Sequence, residues 1–345
     1  MLKKGLIQIY TGNSDHTNFA PMGLSLRAAG HNLRTHMTCF LPHPWMAGAK
    51  VASSLLRPNL VIEHTKIEKI PGIDKLGKLE ANKINQSFER TTKALLSKEF
   101  DIVILNGIHQ MLNHGLISQD HILELMHNKP DHVELVLAGP GASEELMDKA
   151  HLVTEMVCHT EQEGHENDGD LERKAPTEVV MGNGKGKTTY CLGKAMLMSC
   201  MNIRSAFLQF IKSPRAYGEV KAIQKLPCLE IDTMGQGFLN MDSAQSNRKH
   251  RDAAKRTWEE CLREIFSLKY GLIVLDEINI ATYYGLVNAE RIREMLFLKP
   301  RELYLILSGR NAHLEVRGGA TSVIEMREIK HPFHKGMKAR KGIEF

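Results

Sequence analysis

The sequence predicts an α/β protein made of two tandem domains, each with a mainly parallel sheet covered by helices. Strand-like and helix-like segments alternate along the chain. Short matching stretches recur at one fixed interval: Gly12 and Gly182, Asn106 and Asp276, Pro130 and Pro300, and Met156 and Met326 each stand 170 positions apart. They do so in similar local sequence: TGN and MGN, DIVILNG and GLIVLDE, NKP and LKP, LVTEM and SVIEM. One offset held over so many segments is the mark of a duplicated unit. A glycine-rich loop also lies between a strand-like and a helix-like run, the usual seat of a ligand in such folds.

In the first half, GLIQIY (5–10) is strand-like, TGNSDHTNF (11–19) forms a loop and MGLSLRAAG (22–30) is helix-like. The segment TEQEGHENDGDLERKAPTE (160–178) is acidic and poor in apolar residues, which predicts a solvated linker. We therefore expect a first domain over 1–159, a linker over 160–176 and a second domain over 177–345. In the second half TEVVM (177–181), SAFLQFI (205–211), CLEIDTM (228–234), GLIVLDEI (271–278), ELYLILSG (302–309) and VIEMREI (323–329) read as strands. TTYCLGKAMLMSCM (188–201), AAKRTWEECLREIFSLK (253–269) and AERIREMLFLKP (289–300) read as helices, the last stopped by proline.

Composition sets limits on function. A chain of 345 residues, 42% hydrophobic and 25% charged, can bury a core in each half. A net charge of +5, from 45 cationic and 40 anionic residues, is no polyelectrolyte signal, so no nucleic-acid partner is expected. No apolar run approaches the ~18 residues of a membrane span, so no membrane partner is expected. The start MLKK leads straight into a strand pattern, unlike a secretory leader. Cys39, Cys158, Cys191, Cys200, Cys228 and Cys261 are scattered without CxxC pairs and read as reduced and mostly buried. A cytoplasmic protein follows as the expectation. The histidines form neither HExxH nor a finger, so a dedicated zinc site is not expected.

The loop GNGKGKTT (182–189) is the strongest motif. Gly182, Gly184 and Gly186 allow backbone N–H groups to turn inward on phosphate oxygens, together with those of Asn183, Lys185 and Thr189. The following helix N-terminus adds partial positive charge. Lys187 would reach the terminal phosphates and Thr188 would offer its hydroxyl to Mg²⁺. The loop is one residue shorter than GxxxxGK[ST] and carries an additional lysine, Lys185. A Gly/Lys surface turn is the competing reading, disfavoured by the strand before and helix after. Asp276 and Glu277, at the end of an apolar strand, are the acids expected to hold the metal. Arg310, just past another strand, is a candidate phosphate contact. Together these predict a P-loop NTPase-like, Rossmann-like fold of RecA type in each half.

The same offset shows what the first half lacks. Lys187 becomes Thr17, Thr188 becomes Asn18, Gly186 becomes His16, Gly184 becomes Ser14 and Lys185 becomes Asp15. Asp276 and Glu277 become Asn106 and Gly107. The first half is thus a degenerate partner domain, or one repurposed for another ligand.

The second half resembles the P-loop type of ATP:corrinoid adenosyltransferases. The carrying residues are GNGKGKTT, QFIK (209–212), VLDEI (274–278), SGRNAH (308–313), VIEM (323–326) and the tail KHPFHKGMKARKGIEF (330–345). The first half fits that family in framework only. The resemblance implies attack of corrinoid Co(I) on the 5′-carbon of ATP with triphosphate as leaving group, in adenosylcobalamin biosynthesis or salvage. It implies ATP and a corrinoid as substrates, Mg²⁺ or Mn²⁺ as cofactor, and a flavin-type reductase supplying Co(I). Lys187, Glu277 and Phe238 are the residues it implies for catalysis, the loop holding the triphosphate in reverse sense. In QGFLNMD (236–242), Asn240 stands where the family commonly has tryptophan. His331 and His334 read as tail packing, corrinoid contacts or solvent-exposed residues, the structural reading being favoured. As the family forms homodimers, a fused tandem implies an intramolecular pseudo-dimer with one live site. A P-loop ATPase or kinase, and a non-catalytic nucleotide or corrinoid carrier, are the alternative functions.

Overall fold

The computed structural model describes residues 2–65, 67, 77–161, 174–210, 218–234 and 244–345. Most of the expected linker, residues 162–173, and the QGFLNMD segment with Phe238 and Asn240 lie outside them.

The first half runs β1 (Ile7–Gly12), α1 (Phe19–Ala29), β2 (Thr35–Cys39), α2 (Met46–Leu55), β3 (Leu60–His64), α3 (Lys78–Leu96), β4 (Ile102–Asn106), α4 (Ile108–Asn113), α5 (Gln119–His127), β5 (Glu134–Ala138), α6 (Glu144–Lys149) and β6 (Leu152–Glu161). The second half repeats this order with β7 (Thr177–Met181), α7 (Lys187–Cys200), β8 (Ser205–Gln209), α8 (Gly218–Ile223), β9 (Leu229–Thr233), α9 (Ala244–Ile265), β10 (Leu272–Asp276), α10 (Ile278–Tyr283), α11 (Ala289–Leu298), β11 (Tyr304–Ser308), α12 (Leu314–Gly318) and β12 (Ser322–Lys330).

The strands form one twelve-stranded sheet in the order β3-β2-β4-β5-β1-β6-β12-β7-β11-β10-β8-β9. Read outward from its centre, the order is the same in both directions. Within each half the described neighbours pair in parallel, and the halves meet where β6 and β12 pair antiparallel. In that pair Met156 stands opposite Met326, Glu155 opposite Arg327 and Val157 opposite Glu325. Met156 and Met326 are equivalent positions of the repeat, so a pseudo-two-fold axis passes between them.

Strands such as IVIL (102–105) and LIVL (272–275) are apolar throughout because both sheet faces are covered. Alternate residues enter different cores. Val103, Leu105, Leu135 and Leu137 pack with Ile122 under α5, and Ile273, Leu275, Leu305 and Leu307 pack with Ile292 under α11. On the other face Ile104, Val136, Val274 and Ile306 share a single core with α1, α2 and α7.

The axis also passes through the crossing of α1 and α7. A Cβ on Gly23 would stand 1.7 Å from the Thr189 carbonyl oxygen, and one on Gly193 would stand 2.1 Å from that of Phe19. Gly23 and Gly193 are equivalent, as are Phe19 and Thr189, so the contact is reciprocal. Only glycine lets the two helix backbones approach this closely.

α9 starts nine positions before the amphipathic pattern at 253, over residues 244–252 (AQSNRKHRD), which carry no apolar stripe to announce a helix. It ends before 269 because Leu268 takes φ 58, as its equivalent Lys98 does with φ 61. Among the described residues no helix is long and apolar enough to cross a membrane. The described cysteines are free: four are buried, Cys158 is half-buried and Cys228 is exposed.

The crossing predicts the cost of its loss. Gly23→Leu should destabilise the chain by about 3 kcal/mol or more through overpacking, whereas Gly318→Ala, facing open space, should stabilise by about 0.5 kcal/mol. Urea unfolding of the two variants measures both.

Candidate functional site

The 182–189 loop joins the C-terminal end of β7 to α7. Gly182 takes φ 96 and Gly186 takes φ 113, conformations that favour glycine. The loop is pressed on the β12 backbone: Gly184 N–H donates to the Met326 carbonyl at 2.7 Å, and a Cβ on Gly182 would lie 2.3 Å from that oxygen. Gly186 caps α7, so the helix N-terminus opens at the loop.

Lys187 Nζ donates to the carbonyls of Gly182 and Gly184 at 2.7 and 2.8 Å. Burial pulls its pKa down to about 8, against the raising influence of Glu277 and with the lowering influence of Arg310. A polyanion in the loop would restore a full charge there. The Thr188 hydroxyl donates to Asp276 Oδ1 at 3.2 Å. Asp276 is fully buried and also accepts from Ser308 Oγ at 2.6 Å and Gln209 Nε2 at 3.1 Å. Its carboxylate is therefore held in one orientation toward the loop.

Glu277 follows Asp276 with φ 67, a strained conformation for a side chain of its size. The equivalent residue of the first half is Gly107, with φ 85. The left-handed turn belongs to the fold in both halves, and only the second places a carboxylate on it. The Glu277 N–H donates to Ser308 Oγ at 3.2 Å, which ties it to the Asp276 network.

Lys185, Gly186, Lys187, Thr188, Thr189, Glu277 and Arg310 line one cavity of about 320 Å³. Thr189 also donates to the Gly186 carbonyl at 2.9 Å. Asn183 is exposed on the loop and is not among the cavity's lining residues. Phe238 lies outside the described residues. His331 caps a short 3₁₀ turn by accepting from Phe333 N–H at 2.9 Å, and His334 lies 2.6 Å from Glu328, so both make local contacts.

The rest of the wall has no role assigned from sequence, although Ile343 and Glu344 lie in the tail 330–345 that carries the family resemblance. Gln8, Tyr10, Leu24 and Arg27 come from the first half, and Ile343 and Glu344 from the tail. Arg27 is buried, donates to Glu219 at 3.1 Å, and donates to the carbonyls of Ile343 and Glu344 at 3.3 and 3.2 Å. Its one visible signal is a cation inside the apolar run MGLSLRAA.

The counterpart region of the first half is filled. Residues Asp15–Asn18 form a 3₁₀ turn in place of an open loop. Asp15 pairs with His43 at 3.5 Å and accepts from Gln110 at 3.1 Å. Asn106, where the second half has Asp276, donates to the Asn18 carbonyl at 3.3 Å. Across the axis His16 Nδ1 stands 2.8 Å from the Tyr190 hydroxyl, which donates to Glu178 at 2.9 Å. Lys194 pairs with Glu178 and donates to Tyr304 at 2.6 Å. The equivalents of Tyr190 and Lys194 are Ala20 and Leu24. The open loop therefore has Gly186 against Ala20, 3.6 Å from a Cβ placed there, while the closed one has His16 against Tyr190.

Comparison with known proteins agrees with the duplication. The family model described as ATP:corrinoid adenosyltransferase BtuR/CobO/CobP matches residues 3–169 and again residues 173–345. An uncharacterized protein of Nostoc sp. is 26% identical over 371 aligned positions, spanning 99% of this chain and 95% of the relative. A corrinoid adenosyltransferase of Sinorhizobium sp. is 36% identical over 172 residues, 48% of this chain and 78% of the relative. One of Pseudomonas aeruginosa is 31% identical over 170 residues, 48% of this chain and 82% of the relative.

The strain at Glu277 can be read directly. Glu277→Gly should raise stability by about 1 kcal/mol, measured by chemical denaturation, while Gly107→Glu in the first half should lower it by a similar amount.

Proposed function

The chain belongs to the ATP:corrinoid adenosyltransferase family, and on that premise we propose that its second half moves the 5′-deoxyadenosyl group of ATP to Co(I) of a corrinoid. A cobalt–carbon bond forms at C5′, the C5′–oxygen bond breaks, and inorganic triphosphate leaves with the bonding electrons. The corrinoid supplies the nucleophile, so no side chain has to. The observation that carries this reading is the convergence of Lys185, Lys187, Thr188, Glu277 and Arg310 on one cavity beside the short glycine loop.

On this reading the backbone from Gly182 to Thr189 clasps the triphosphate. Lys187 exchanges its loop carbonyls for phosphate oxygens, and Lys185 and Arg310 add charge where the leaving group develops it. The residues present also fit a divalent cation with oxygen ligands. Thr188 already reaches the buried, oriented Asp276 carboxylate, and Glu277 lies beside it. Thr188, Asp276 and Glu277 would hold Mg²⁺ or Mn²⁺, which neutralises part of the triphosphate charge when bound. Phe238 would enclose one face of the corrinoid, with Co(I) supplied by a flavin-type reductase. Residues 1–161, which β6 carries two positions past the expected boundary at 159, act as the degenerate partner domain, 162–176 as the linker and 177–345 as the transferase domain, in a cytoplasmic protein that forms its pseudo-dimer within one chain. The chief task of the protein is alignment of cobalt with C5′.

The test is anaerobic. Purified protein with MgATP and chemically reduced cobalamin should lose the Co(I) absorbance and yield a light-sensitive alkylcobalamin with stoichiometric triphosphate. Lys187→Ala should slow this by about 10²–10³-fold. Phosphate in place of triphosphate would make the protein an ATPase, and ATP binding without an alkyl product would make it a carrier.

A further inference from the structure

The loop has one lysine more than its length requires, and that lysine is already engaged. Lys185 Nζ donates to Glu344 Oε1 at 2.9 Å. Glu344 is the penultimate residue, and its side chain is only 12% exposed. The tail that carries it is anchored on the first half. Arg340 donates to both oxygens of the fully buried Glu134 at 2.7 and 2.9 Å, and to Glu344 Oε1 at 3.1 Å. The Arg340 N–H donates to Glu344 Oε2 at 2.6 Å. Glu134 in turn accepts from Leu6 N–H at 2.7 Å and from the Gln8 side chain. Arg27 holds the carbonyls of Ile343 and Glu344 from the other side. A continuous line of charge-assisted bonds thus leads from the glycine loop, through the tail, to β1 and β5.

A carboxylate held by an arginine and presented to a phosphate-loop ammonium occupies the role of a phosphate oxygen. We propose that Glu344 is an internal phosphate surrogate that holds Lys185 until a polyphosphate binds and then yields it to the triphosphate group, so that this tail residue sets the affinity of the site for polyphosphate. The inference rests on the reading of the loop as a triphosphate site. On exchange Glu344 keeps Arg340 as its partner, so no carboxylate is left buried without a cation. Its remaining negative charge lies beside the bound polyanion and opposes it.

The experiment is calorimetric titration of the full chain with Mg²⁺ and inorganic triphosphate, run on the parent, Glu344→Gln, Lys185→Ala and the double variant. Glu344→Gln should bind about tenfold tighter, Lys185→Ala should bind more weakly, and most of the gain should vanish in the double variant. A tail contact of structural value alone would give the opposite sign, weaker binding together with a lower Tm. Unchanged or weaker binding by folded Glu344→Gln overturns the proposal. Should that variant fail to fold, Glu344→Asp, which keeps the charge but shortens the reach to Lys185, must show the tightening, and unchanged affinity there overturns it equally. Binding by none of the proteins would remove the triphosphate reading of the loop itself, and this inference with it.

Discussion

The contact on which the rest of the molecule depends is the crossing of α1 and α7 at Gly23 and Gly193. With no side chain at either position, the two backbones come within atomic contact. That closeness allows β6 and β12 to pair below them and lets one core run under the helices of both halves. It also turns the loop that follows each first strand toward the opposite half. A site in this molecule is therefore made across the axis: its loop comes from one half and part of its wall from the other.

A frame with two-fold symmetry offers two such sites, and the side chains keep one. Around the second-half loop, small equivalents meet (Gly186 against Ala20), and a cavity with Lys187, Glu277 and Arg310 remains. Around the first-half loop, His16 meets Tyr190, and Glu178, Lys194 and Tyr304 complete a buried network. The backbone turn that strains Glu277 is relaxed in the first half by Gly107. Of these two equivalent turns only the one that bears a carboxylate is strained, the pattern expected of a functional position. The first half, though it has Thr17 and Gly107 where the second has Lys187 and Glu277, is no passive remnant: Gln8, Tyr10, Leu24 and Arg27 form one wall of the cavity, and Glu134 anchors the tail that closes it.

Much of this was legible in the sequence, because the relevant signals are local. The runs IVIL and LIVL mark strands buried on both faces, the glycines of 182–189 mark the turn between β7 and α7, and the 170-residue offset marks the repeat. The fusion of two sheets into one was not legible, since it depends on the register of β6 against β12, set by distant packing. The first-half wall was hidden for the same reason: Arg27 reads as one cation in an apolar helix until the fold brings it to the tail. The early start of α9 lacked an apolar stripe to announce it. The left-handed turn at Glu277 could be inferred only from Gly107 at the equivalent position.

The most direct measurement of the account is the stoichiometry of ATP binding to the intact chain, by equilibrium dialysis with Mg²⁺ at saturating nucleotide. One site per chain, lost in Lys187→Ala and kept in Asp15→Ala, is the predicted result. Two sites per chain would contradict it by showing that the filled first-half loop still opens to nucleotide.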